Sequence, residues 1–210
     1  MGVRFVAAFV VVACFVLASF SYGSLPAKIA THWGMRGDVD GYAEKTAFTV
    51  FLLPAIIAVL VVLLCVLPSL DPLKDNYRVF QKDYDVFILV FTVFLALMFA
   101  HTILWNVGYR INPMPVISVG FAALLFFTGR LLSKVKRNWF VGIRTPWTLS
   151  SDRVWDETHR VGGRLFTVSA LFSLAGAVFW NYAIYLIVVP VILSAAYAVA
   201  YSYYLFRKGG

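Results

Sequence analysis

Three histidines and two closely spaced acids are the side chains of this sequence best equipped to hold a metal or move a proton: His32, His101, His159, Asp38 and Asp40. A zinc-type centre needs three or four such groups converging on one point. Here His32 lies in a polar stretch, His101 within a long apolar run and His159 in a basic stretch. If the apolar runs cross a bilayer, much of a ~30 Å hydrocarbon core separates the three. Asp38-Val39-Asp40-Gly41 has the opening of a calcium loop but lacks the later glutamate. The same residues also suit a turn in which carboxylates cap backbone amides. There is no HExxH, no GxSxG, no phosphate-binding loop and no evident nucleophile–base pair, so neither catalytic residues nor a cofactor are expected. Cys14 and Cys65 sit in apolar runs and read as small packing residues.

The elements that must carry these residues are apolar. Hydrophobic residues make up 61% of the 210, charged residues 13%, and mean hydropathy is +0.83. A soluble domain averages ~45–50% apolar and ~25% charged, so the composition predicts a multi-pass protein of the cell membrane with the lipid bilayer as solvent. Net charge is +8 with a pI near 9.6. The cations fall mainly between apolar runs, where they read as topology signals, and no direct nucleic-acid partner is expected.

About six runs approach the ~20 residues that a spanning helix needs: 5–22, 47–67, 86–105, 113–132, 165–180 and 182–206. The first exceeds the ~7–15 apolar residues of a signal peptide and reads as a retained span. The fifth is short and borrows Gly162, Gly163 and Arg164, with a tight turn near Asn181 leading to the sixth. Fourteen of the 18 Lys and Arg then share one side with both termini. The positive-inside rule puts that side in the cytoplasm. The fold class expected is all-α: a polytopic helix bundle with cytoplasmic N and C termini, an outer loop 23–46 (loop 1) and an inner loop 133–164 (loop 4). Ser169, Ser173 and Ala177, like Ser194, Ala198 and Ser202, recur every fourth residue and predict close helix packing. Within span three, His101 is a functional candidate by its position; the other reading is a neutral imidazole bonded to a neighbouring helix.

Loop 4 has the more specific pattern. Its basic start and Trp139, Phe140 and Trp147 suit a membrane interface. Ser150 or Ser151 can cap a short helix on which Asp156 and Arg160 are i,i+4 partners and Trp155 shares a face with His159. Interfacial anchoring explains the charges and aromatics but not the ordered polar set Asn138, Thr145, Thr148 and Thr158. A partner-binding surface is the alternative.

The run Arg137-Asn138-Trp139-Phe140-Val141-Gly142-Ile143-Arg144-Thr145-Pro146-Trp147-Thr148-Leu149-Ser150, with Val154-Trp155 and Thr158-His159-Arg160, resembles the signature of the SdpI family of membrane immunity and signal-transduction proteins. Leu25-Pro26 and Thr31-His32-Trp33 ahead of Gly37 resemble the small membrane domain of unknown function that often precedes it. The resemblance implies immunity to a secreted toxin peptide, and a receptor role in which the loaded protein holds a transcriptional repressor at the membrane. It implies an N-terminal two-helix unit (1–70) and an SdpI-like four-helix unit (71–210). Pro26, His32, Trp33, Asp38 and Asp40 would meet the peptide. Arg137, Asn138, Trp139, Gly142, Arg144, Thr145, Pro146, Trp147, Trp155, Thr158 and His159 would face the cytoplasmic partner, with Arg144, Trp147 and Trp155 as its anchors. A small transporter or channel-like exporter, using His101 and the proline-broken spans, is the second reading. No residue pattern specifies an oligomeric state.

Overall fold

The structure, a computed structural model, describes residues 2–209. Its elements are α1 (Gly2–Ser21), a two-stranded hairpin of β1 (Lys28–Trp33) and β2 (Val39–Glu44), α2 (Ala47–Leu70), α3 (Tyr77–Asn106), α4 (Pro113–Leu132), the short α5 (Pro146–Ser150), α6 (Asp152–Ala175) and α7 (Ala183–Arg207). Five helical segments, all but α5 and α6, are long and apolar enough to cross a membrane. The polytopic all-α reading therefore stands, with the hairpin as the exception.

Local chemistry explains the boundaries. Thr46, Asn112, Thr145 and Ser151 each present a side-chain oxygen to an amide in the first turn of α2, α4, α5 and α6. Each cap satisfies a donor that the helix itself cannot. Pro113 and Pro146 open α4 and α5, where a missing N–H costs nothing. Pro54, Pro68 and Pro190 lie inside helices, where neighbouring helices can satisfy the carbonyls they free.

Loop 1, expected as an outer loop with a turn at Asp38–Gly41, holds a hairpin instead. Lys28–Trp33 and Val39–Glu44 pair antiparallel around a tight turn, with an irregularity between Ala30 and His32. The span expected over 165–180 also differs. Helix α6 is continuous from Asp152 but ends at Ala175, and 176–182 form turns rather than one tight reversal at Asn181. Its charged first half explains why α6 falls short of a spanning hydropathy.

Contacts fix which ends coincide. Arg4 Nε reaches Asp85 at 2.7 Å and Lys134 reaches Asp83 at 2.8 Å. At the same end Thr145 Oγ1 meets Ser202 Oγ at 3.1 Å. The starts of α1, α3 and α6 therefore share one basic end with the finishes of α2, α4 and α7, and the hairpin occupies the other. Small residues face inward: Ala7, Cys14, Ala18, Ser169, Ser173, Ala198 and Ser202 are buried, while Phe9, Leu63, Leu171 and Leu193 are exposed. That is the inversion expected of helices bathed in lipid. Ser169 and Ser194 bond across α6 and α7 at 3.0 Å. One apolar cluster joins α1, α2, α3 and α4 to Trp155 of α6.

Candidate functional site

Loop 4 is a folded cap on the basic end, built around a buried amide. Asn138 has no exposed surface. Its Oδ1 accepts from the amides of Phe140 (2.9 Å) and Val141 (2.6 Å) and from the Tyr77 hydroxyl (3.1 Å). Its Nδ2 donates to the carbonyls of Lys136 (2.9 Å) and Val141 (2.8 Å). An amide that uses both its oxygen and its nitrogen in this way holds a turn no secondary structure could supply.

Asp71, just past α2, ties the cap to the bundle. One carboxylate oxygen accepts from the Trp139 amide at 2.8 Å and lies 3.3 Å from the Tyr77 hydroxyl; the other accepts from the Leu73 amide at 2.7 Å. Asn76 Nδ2 donates to the Arg137 carbonyl at 2.6 Å. The sequence reading missed Asp71, Asn76 and Tyr77. The available signal was Asp71-Pro72, an acid and a helix breaker directly after an apolar span.

The second half of the cap is organised by α6. Trp155 is fully buried, with Nε1 donating to the Val135 carbonyl at 2.9 Å. His159 stacks on it, ring centroids 4.1 Å apart, as their shared helix face predicts. His159 Nε2 accepts from the Ile143 amide and Nδ1 donates to the Trp155 carbonyl, both at 2.8 Å. Accepting at Nε2 requires a neutral ring, and burial lowers the His159 pKa to about 4, against the weaker raising effects of the Trp155 carbonyl and Asp156. Gly142 passes beside it at φ 121°, where an added Cβ would collide with His159 Nε2. Thr145 and Thr148 form a reciprocal capping box on α5, and Thr148 Oγ1 also donates to the Ile143 carbonyl at 2.8 Å.

Many of the loop 4 residues singled out above are thus framework. Asn138, Thr145, Trp155, Thr158 and His159 are buried, and Thr158 Oγ1 lacks a hydrogen-bond partner. Those that reach the surface are Arg144, Pro146 and Trp139, the last half-exposed, with Arg137, Gly142 and Trp147 intermediate. Arg144 donates to the Trp139 carbonyl, Arg137 to that of Leu149 at 3.0 Å, and Trp147 packs on Tyr203 at 4.9 Å. Ser151 rather than Ser150 caps α6. Asp156 pairs with Lys136 at 2.9 Å and Arg160 with Glu157, in place of the expected Asp156–Arg160 pair. The lysine and the glutamate are simply nearer.

At the opposite end, His32 and Asp40 pair with each other on the hairpin surface. Pro26 and Asp38 are exposed, and no convergent group of three ligands occurs among the described residues. The hairpin is held by Asn106, the last residue of α3. Its Oδ1 accepts from the Ala30 amide at 2.7 Å and its Nδ2 donates to the Ala30 carbonyl at 3.0 Å, as a paired strand would. Trp33 packs edge-on against His101 and Trp105, at 5.5 and 5.9 Å. His101 Nε2 lies 2.8 Å from the Ile111 carbonyl, in the connection to α4. It therefore belongs to the hairpin end of α3 rather than to the middle of a span, and its partner is loop backbone, not another helix.

Comparisons with known proteins agree at both ends. Residues 134–202 match the model of the SdpI/YfhL protein family, and residues 9–58 match a domain of unknown function, DUF1648. The chain is 24% identical over 203 residues to the immunity protein SdpI of Bacillus subtilis (strain 168), covering 95% of this chain and 94% of that protein. No solved structure matches it. The resemblance read from the loop 4 signature and from the hairpin segment is thereby shown.

Proposed function

We propose that this SdpI-like chain is a membrane immunity protein that protects its cell from a secreted antimicrobial peptide. The supporting observation is the collinear likeness to an immunity protein over 95% of the chain, which takes in both the hairpin and the loop 4 cap. Fourteen Lys and Arg lie at the basic end, so the proposed orientation puts that end and both termini in the cytoplasm and the hairpin outside. The hairpin, with Pro26, His32, Trp33, Asp38 and Asp40, is the surface proposed to meet the peptide. Residues 1–70 and 71–210 are proposed as its two units, one presenting the hairpin and the other the cap.

The cap suits display to a cytoplasmic protein such as a transcriptional repressor. Its buried polar framework fixes Arg144, Trp139 and Trp147 at the surface, and Arg and Trp are the residue types that dominate binding hot spots. No catalytic step enters this reading. Expression in a peptide-sensitive host lacking its own immunity tests it: survival should rise with the wild-type chain and fall with a hairpin deletion that still reaches the membrane. Equal killing with and without the wild-type chain, at confirmed expression, overturns it. The transport reading is separated by reconstitution, where peptide or ion flux abolished by His101→Ala would favour a pathway over protection without flux.

A further inference from the structure

We infer that the α4–α6 crossing at the basic end is a seat for one anionic phospholipid, its phosphate held by Arg130 and Arg164 and its acyl chain laid along α6. A groove of about 570 Å³ opens there, lined by Arg130, Ser133, Lys134, Arg164, Thr167 and Val168. Its floor exists because Gly129 and Gly163 let the helices touch: an added Cβ on Gly163 would lie 2.6 Å from the Gly129 carbonyl oxygen.

The charge of the groove is not balanced. Among the described residues Asp83 is the one acid paired with its cations, shared by Lys134 at 2.8 Å and Arg130 at 3.5 Å. Arg164 is exposed and has no carboxylate within 4.0 Å among the described residues. Three cations thus face one carboxylate. Lys134 spends its ammonium on both oxygens of Asp83, at 2.9 and 2.8 Å, which leaves the Arg164 guanidinium, and that of Arg130 beyond its 3.5 Å contact, for an incoming anion. Guanidinium forks match phosphate oxygens in pairs.

What lies beside the cations selects a lipid rather than a free ion. One turn along α6 from Arg164 is Val168, followed by Leu171 and Phe172; one turn back along α4 from Arg130 is Phe126. All four are exposed. The groove therefore passes from cationic to apolar in the direction of the hydrocarbon, the polarity of a phosphodiester headgroup on its acyl chain. Basic pockets between spanning helices at headgroup depth have this recognition chemistry. The inference is independent of the immunity reading and of which leaflet the basic end faces.

The test is thermal unfolding of the full chain in detergent, titrated with dioleoylphosphatidylglycerol, with dioleoylphosphatidylcholine or with inorganic phosphate. The expected result is a saturable rise in midpoint with phosphatidylglycerol alone. The double variant Arg130→Gln/Arg164→Gln should need about 30-fold more of that lipid for the half-maximal rise, and Arg164→Gln alone, which breaks no bond within the chain, about fivefold more. Arg207→Gln, which removes one positive charge elsewhere at the same end, should respond as wild type. Equal stabilisation by phosphatidylcholine, full stabilisation by phosphate alone, or an unchanged titration for Arg164→Gln would each overturn the seat.

Discussion

Replacing Asn138 with alanine isolates what holds the loop 4 cap. The change removes two donated bonds, to the Lys136 and Val141 carbonyls, and strips the acceptor from the amides of Phe140 and Val141 and from the Tyr77 hydroxyl. A hydrogen bond contributes about 1 kcal/mol net, and each buried donor left without a partner costs about 1–3 kcal/mol. Three donors, one buried and two partly buried, lose their acceptor, so a loss of about 4 kcal/mol is expected. For a chain of this size that lowers the midpoint by about 10 °C. Thermal unfolding in detergent reads this directly, and thiol labelling of a cysteine introduced at Val135, 2% exposed in the native cap, reads the local opening. Asn138→Asp sharpens the test. It keeps the acceptor oxygen, loses both donors and sets a second carboxylate beside buried Asp71, so it should be at least as damaging as alanine. If Asn138→Ala unfolds within about 2 °C of wild type and Val135→Cys stays unlabelled in it, the amide is not what organises the cap.

His159, lowered to about 4 from an unfolded value near 6.5, makes stability depend on acid. Its contribution is complete above pH ~6.5 and is lost as pH falls toward 4, up to about 3 kcal/mol, because only the unfolded chain takes the proton in that window; His159→Gln should flatten the midpoint-versus-pH slope there, and an unchanged slope would count against this assignment. Gly142→Ala should destabilise by about 1–3 kcal/mol, since the residue sits at φ 121° and its new methyl meets His159; a wild-type midpoint would contradict the geometry. Asn106→Leu should release the hairpin from α3, seen as faster trypsin cleavage at Lys28 or Arg36 with little change at loop 4. Asp40→Asn should change stability in thermal unfolding by less than about 1 kcal/mol, because the His32–Asp40 pair is exposed.

The spanning helices were legible in the sequence because lipid imposes a crude, length-scaled signal, and 113–132 matches α4 residue for residue. Helix α6 was harder, since Asp152–Arg164 is charged and only its second half is apolar. The hairpin was hidden for a different reason. Its strands are six residues each, and the side chain that hydrogen-bonds their backbone from α3, Asn106, is far away in sequence. In loop 4 the composition pointed to the right residues, but their role depended on burial. Asn138, Thr148 and His159 look like surface recognition groups in a polar string, yet they turn inward because the stretch 138–145 before α5 has no regular structure to satisfy its own amides. Asp71 and Tyr77 could not be joined to that set from spacing alone, since the bonds that connect them cross more than sixty residues.

Helix α3 runs unbroken for 30 residues, about 45 Å, with Asn106 gripping the hairpin at one tip and Tyr77 gripping the loop 4 turn at the other. A rod fastened at both tips behaves as a pushrod. If the hairpin were pressed or lifted by something touching it, and α3 slid lengthwise by a single ångström, the Tyr77–Asn138 bond of 3.1 Å would be stretched or crushed out of its working range. The hairpin and the loop 4 turn are thus coupled mechanically through one helix.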